Sequence, residues 1–132
     1  MKPKILALSI ILILITPALA QVRGVRANVP FDFVVGTKAM SAGEYRLSLI
    51  SGVTLRISQI NGPGMAGIVA APVAGSDNNA PRLLFHRYGS HFFLTEVWVG
   101  ETSISHRLYV SPAELGYART TAPESITILA KK

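Results

Sequence analysis

Residues 25–35 alternate without a fault: Val25, Ala27, Val29, Phe31, Phe33 and Val35 form one apolar set, with Arg26, Asn28 and Asp32 in the other. A period of two places the sets on opposite sides of an extended chain, which is the mark of a half-buried strand. Pro30 has no N–H, so this strand is expected at a sheet edge or bent there. Residues 36–43 read as a loop ending in the turn Ser41-Ala42-Gly43. The same period returns in Tyr45, Leu47 and Leu49, then in Val53, Leu55 and Ile57. A three-residue loop Ile50-Ser51-Gly52 sets Leu49 against Val53, Leu47 against Leu55 and Tyr45 against Ile57, with Gly52 supplying a left-handed residue. Arg46 then faces Arg56 on the outer side. Like charges directly opposed are unfavourable, and Glu44 is the diagonal acid that offsets them in that register.

Further along, Asn61-Gly62-Pro63-Gly64 is a turn cluster, 66–71 a short strand of small residues, and 72–81 an exposed loop. Residues 82–88 and 91–99 read as a hairpin closed by Gly89-Ser90, where glycine at the first central position favours a type II′ turn. That turn pairs Tyr88 with His91, Arg87 with Phe92, His86 with Phe93 and Phe85 with Leu94. Both faces of the hairpin are apolar: Phe85, Phe92, Leu94 and Trp98 share one, and Leu84, Phe93, Val97 and Val99 populate the other. Phe85, Phe92, Phe93, Leu94 and Trp98 are therefore the expected contact surface, toward a second copy or an envelope partner. The competing expectation is that an N- or C-terminal strand covers the second face.

A strand over 104–110 leads to Ser111-Pro112-Ala113-Glu114. This is a helix start with serine as cap, proline at the first position and glutamate at the third, completing a capping box. Gly116 keeps that helix short, and 125–130 is a last strand. The fold class that follows is mainly β, a single small antiparallel sandwich or barrel of about seven or eight strands with one short helix.

The first twenty residues set the address. Lys2 and Lys4 precede an apolar run over 5–15, Thr16-Pro17 breaks it, and Ala18-Leu19-Ala20 supplies the small residues a signal peptidase reads. The run is too short to span a bilayer, which takes roughly 20 residues. Residues 1–20 are thus expected to be a signal peptide cleaved after Ala20, and 21–132 one β domain, periplasmic or extracellular, that meets a membrane only during export. Without cysteine the domain has neither disulfides nor thiol chemistry.

No catalytic motif is visible. His86 and His91 are diagonal neighbours in the hairpin but have no third metal ligand nearby, and His106 alternates with Ile104, Leu108 and Val110 as a packed residue would. There is no G-x-S-x-G elbow, no carboxylate pair, and no glycine-rich loop ahead of a helix. No metal and no cofactor is expected. The basic residues, in a net charge of +6, are dispersed along the chain and not clustered with aromatics, which argues against nucleic acid.

Pro30-Phe31-Asp32-Phe33-Val34-Val35-Gly36, followed by Ala42-Gly43-Glu44-Tyr45, resembles a P-F-x-F-x-V-G…A-G-x-Y pattern of small exported bacterial β-proteins. Leu84-Phe85-His86-Arg87-Tyr88-Gly89 resembles the later hairpin of that group. This chain carries Met40-Ser41 where the pattern has Leu-Pro. The resemblance implies export and a β fold, and no activity is assigned to the group. The leading expectation is a non-enzymatic envelope or secreted protein acting by binding or assembly. The alternatives are a β-barrel carrier of an apolar small molecule and a hydrolase with an unrecognised site.

Overall fold

The alternating run 25–35 folds as two strands. In the computed structural model, which describes residues 24–74, 80–100 and 104–132, β1 (Gly24–Val29) stops at Pro30 and β2 (Phe33–Val35) begins after it. The period of two survives the break: Val25, Ala27, Val29, Phe33 and Val35 are all buried. What the break changes is the partner. β1 pairs antiparallel with β4 (Gly43–Ser51), whereas β2 crosses over and lies parallel to β8 (His91–Trp98) through Val34 and Phe93. The leader expected over 1–20, with its cleavage after Ala20, lies outside the described residues.

Within the expected loop 36–43 the chain forms a further short strand, β3 (Lys38–Met40), which pairs back onto β2. Gly36 makes that turn possible. Its φ is +61°, and a Cβ there would sit 2.7 Å from Ile68 Cδ1. Both left-handed backbone and close packing therefore require glycine.

The remaining elements are β5 (Thr54–Gln59), β6 (Met65–Ala74), β7 (Arg82–Tyr88), β9 (Ile104–Leu108), α1 (Pro112–Ala118) and β10 (Glu124–Leu129). The fold is mainly β, as expected, but the described residues form ten strands in an open mixed sheet instead of about seven or eight antiparallel ones. The sheet runs β1-β4-β5-β6-β9-β8-β2-β3, and β7 joins β8 to β10. β6 is longer than the expected strand 66–71 and takes in Pro72, part of the expected loop. Its first half pairs with β5 and its second with β9. Outside the ladders, one bridge ties Arg26 to Lys131 through two hydrogen bonds, Arg26 N to Lys131 O at 2.6 Å and Lys131 N to Arg26 O at 2.8 Å.

Two bulges correct the expected registers. In the β4–β5 hairpin the turn is Gly52-Val53, Ser51 pairs with Thr54, and Ile50 is left over. Leu49 then meets Leu55, Leu47 meets Ile57 and Tyr45 meets Gln59, two residues away from the expected pairing. An even shift keeps each side chain on its face, so Tyr45, Leu47, Leu55 and Ile57 are buried as expected although their partners differ. Gly52 is not left-handed, and Val53 is exposed. Arg46 stands opposite Ser58 on β5 and opposite Arg26 on β1; Arg56 is its diagonal neighbour.

In β7–β8 the four expected pairs from Tyr88–His91 to Phe85–Leu94 are present, and Gly89 has φ +62° with no positive φ at Ser90, as a II′ turn requires. Beyond them Leu84 pairs with Glu96, which leaves Thr95 unpaired. One extra residue inverts the parity of the strand. Val97 thereby joins Leu83 and Phe85 in the core, and Trp98 turns to the face of Phe93, the reverse of the expected assignment.

The core is filled by Tyr45, Leu47, Leu55, Ile57, Leu83 and Phe85, each at most 1% exposed. Phe33 lies edge-on to Tyr45 at 5.2 Å and to Phe85 at 5.4 Å; Phe31 stacks on Phe92 at 3.8 Å. The residues of the P-F-x-F-x-V-G…A-G-x-Y pattern thus meet one another. Asp32 Oδ1 accepts from Ala42 N at 2.8 Å, and Tyr45 OH donates to Ser41 O at 2.6 Å. These contacts fasten β2 and β3 to β4, so the motif is a device of folding.

Candidate functional site

Beneath α1 lies a cluster of buried polar groups. Ser111 caps the helix, accepting from Glu114 N at 3.2 Å. The Glu114 carboxylate turns inward to the sheet, where Tyr88 OH and His86 Nδ1 each donate to its Oε2 at 2.9 Å. A carboxylate can only accept, so the partner fixes the proton of His86 on Nδ1. Burial and the neighbouring Glu114 push the Tyr88 phenol up to about 12. Tyr117 of α1 stacks on His91 at 4.6 Å and on Tyr88 at 5.9 Å. Nearby on β8, Glu96 accepts from Ser105 Oγ and lies 3.8 Å from Arg107. His106 is buried, as its alternation with Leu108 implied, and burial lowers its pKa.

Two open clefts lie elsewhere on the described surface, the first sharing only His91 with that cluster. One, of about 370 Å³, runs between β2–β3 and the β7–β8 turn, with Phe33, Val34, Met40 and Phe92 below and Asp32, Ser90 and His91 at its rim. The other, of about 520 Å³, lies on the outer face of β1, β4 and β5, lined by Arg26, Arg46, Arg56, Ser48, Ser58 and Lys132. Among the described residues no ion pair joins Arg26, Arg46 or Arg56 to an acid. Glu44 does not lie diagonal to Arg56 as expected, because the two-residue shift along β5 moves it past Ser58; on β1 it stands opposite Asn28, diagonal to Arg26.

No family model matches this chain, and neither the curated proteins nor the solved structures contain a match. Its chemistry must be read from its own residues.

The residues expected to form a contact surface divide. Phe85, Phe93 and Leu94 are buried within the chain, and only Phe92 and Trp98 are half-exposed. The second face of the hairpin is covered from inside the domain by α1 through Tyr117, which packs 5.9 Å from Phe93. The expectations for that face were a second copy or envelope partner or, in competition, a terminal strand. Trp98 is capped in turn by the Arg82 guanidinium, 4.1 Å above its ring. His86 and His91 do share a face, but each has a separate partner, Glu114 and Tyr117. Among the described residues no three His, Asp or Glu side chains are grouped as metal ligands would be.

Sequence reasoning found the arginine cleft only in part: it put Arg46 and Arg56 together on the outer side and missed Arg26 and Lys132, because the members come from three strands and from residue 132. Its signal was the odd spacing of Arg26, Arg46 and Arg56 from the apolar positions beside them, which puts all three on outer faces.

Proposed function

We propose that this chain is an exported domain, periplasmic or extracellular, that acts by binding and not by catalysis. One observation carries the reading. The groups His86, Tyr88 and Glu114 are joined to one another and hold α1 on the sheet, whereas one open cleft is lined mainly by arginine and serine and the other by apolar side chains with Asp32 and His91 at its rim, His91 being stacked on Tyr117. A general base must reach a substrate proton, and these groups face a helix. The sheet is further read as rolled into a small barrel, with the Arg26–Lys131 bridge as its seam; closure of that kind removes exposed strand edges. Its interior is filled by large side chains, which favours surface binding over carriage of an apolar ligand inside. Native mass spectrometry of the exported protein tests the reading. A chain beginning at Gln21 that retains a noncovalent mass is expected. Turnover of an ester, phosphoester or glycoside that disappears in Glu114→Gln would overturn it.

A hydrolase is the second reading, favoured by one register. Ser125 of β10 stands directly opposite His86 of β7, whose Nδ1 is already bound to Glu114. That is the order of an acid–histidine–serine arrangement, although no hydrogen bond joins Ser125 to His86 among the described residues. Labelling of Ser125 by a fluorophosphonate, lost in His86→Ala, is the result this reading requires.

A further inference from the structure

We infer that the outer face of β1, β4 and β5 is a binding site for a phosphoryl group, held by Arg26, Arg46 and Arg56 with Ser48 and Ser58. This deepens the binding reading by naming a ligand class, and it rests on that reading.

The site is built by register. Arg26 and Arg46 are direct cross-strand partners, and Arg46 is followed on the next strand by Ser58. One row along, Gly24 pairs with Ser48 and Ser48 with Arg56. Neighbouring strands lie about 4.8 Å apart, so three guanidinium groups share a patch only two rows deep. The small residues between them, Gly24, Ser48 and Ser58, give the patch its depth, and Gly67 of β6 leaves it open on the far side of Arg56.

Like charges directly opposed across a sheet are unfavourable. A protein whose only need was a soluble outer face would be served by alternating signs at these positions. Here the nearest acid in register, Glu44, lies opposite Asn28 and makes no ion pair among the described residues. An anion placed among the three arginines converts their repulsion into attraction. The donor set further selects the anion. Guanidinium forks match phosphoryl oxygens two at a time, and two serine hydroxyls add single donors at the floor. A carboxylate has two oxygens and cannot use all five side chains; a phosphoryl group offers three. Such a group can be presented by a soluble phosphate compound or by a lipid headgroup.

The full-length exported protein is titrated with inorganic pyrophosphate, and separately mixed with phosphatidylcholine vesicles made with and without phosphatidic acid. Binding is read by amide shifts at Ser48 and Ser58 in the first arm and by flotation in the second. Binding of pyrophosphate supports a soluble ligand, and flotation only with phosphatidic acid supports a headgroup. Arg46→Gln and Arg56→Gln are each expected to weaken binding at least about tenfold, because each removes a charged hydrogen-bonding partner. Arg119→Gln, in the cap of α1 and outside the lining of the cleft, is expected to change it less than about twofold, since an exposed charge that touches no ligand is largely screened. Arg56→Lys keeps the charge and loses the fork, and an intermediate loss is expected. The inference is overturned if neither probe binds, if Arg119→Gln weakens binding as much as Arg56→Gln, or if Arg56→Lys binds at full strength. Those results leave binding through the apolar cleft untouched; only catalytic turnover removes the broader reading.

Discussion

Gly36 shows how much a single residue decides in this fold. It turns β2 into β3 with φ +61° while Ile68 and Tyr109 close over it. Gly36→Ala is expected to destabilise by at least about 1–2 kcal/mol from the left-handed backbone alone, with displacement of Ile68 adding to it; a melt in urea measures the loss. An unchanged midpoint would mean that the β2–β3 turn is not formed. Tyr88 supplies a second test. Its phenol sits at about 12 in the folded chain, against an ordinary value of 10.0, through burial and Glu114. The folded state thus holds this proton more tightly than the unfolded chain, so the stability it contributes is whole below pH 10 and is lost as pH climbs from 10 toward 12. Tyr88→Phe should flatten that limb of the stability profile. It should also cost about 1.5–3 kcal/mol near neutrality, the worth of a hydrogen bond to a charged group. At this scale the sequence was legible wherever one residue type has one reason to stand where it does. Gly89 and the buried alternation of Val25, Ala27 and Val29 could be read directly. Glu114 could not. As the third helical residue it fits a capping box, and only the fold shows its carboxylate committed to Tyr88 and His86.

At the scale of elements, period and turn chemistry located the strands, and single-residue insertions hid their pairing. Thr95 and Ile50 carry no mark that separates a bulged residue from a paired one, yet each resets everything beyond it. The Thr95 bulge moved Val97 inward and Trp98 outward; the Ile50 bulge moved the β5 partner of Arg46 from Arg56 to Ser58. The arginine site was legible only in part for that reason: the outer placement of Arg46 and Arg56 could be read, and their true offset and the pairing of Arg46 with Arg26 could not. Helix α1 tests how firmly a short element is held from its ends. It has seven residues, too few for stability in isolation, so its cap and its Glu114 anchor must hold it. Ser111→Ala removes the cap and is expected to cost about 1 kcal/mol. Removing the anchor with Glu114→Ala should cost more, because Tyr88 and His86 then lose their acceptor beneath the helix. Proteolysis within residues 112–118 reads both effects. Equal resistance in the two variants and the wild type would show that α1 is held by its ring stacking alone.

For the whole molecule the decisive contact is the smallest. The ladders run from β1 through β4, β5, β6, β9, β8 and β7 to β10, and among the described residues the Arg26–Lys131 bridge, just beyond β10, is the backbone pairing that joins the last of these to the first. No sequence pattern announces it, because two backbone hydrogen bonds at the end of a strand need no particular side chain. Ala130 supports it from within: its side chain is buried in the core, and its N–H donates to Pro81 O at 3.0 Å. If the bridge is the seam of a rolled sheet, then breaking it should loosen β1 and β10 together and leave the middle of the sheet alone. Lys131→Pro is the variant that isolates the effect, because it deletes the N–H given to Arg26 O and keeps the carbonyl that accepts from Arg26 N. The global cost should be small, about 0.5–1.5 kcal/mol for one hydrogen bond. Amide exchange is where the change should be large. Arg26, flanked by the buried Val25 and Ala27, should exchange faster, as should the β10 amides paired to β7, while Leu47 and Leu55 in the β4–β5 ladder keep their protection. Faster exchange across all strands alike would mean that the bridge supports the whole core. Unchanged exchange at Arg26 would mean that β1 is held by β4 alone and that the sheet is open at this edge.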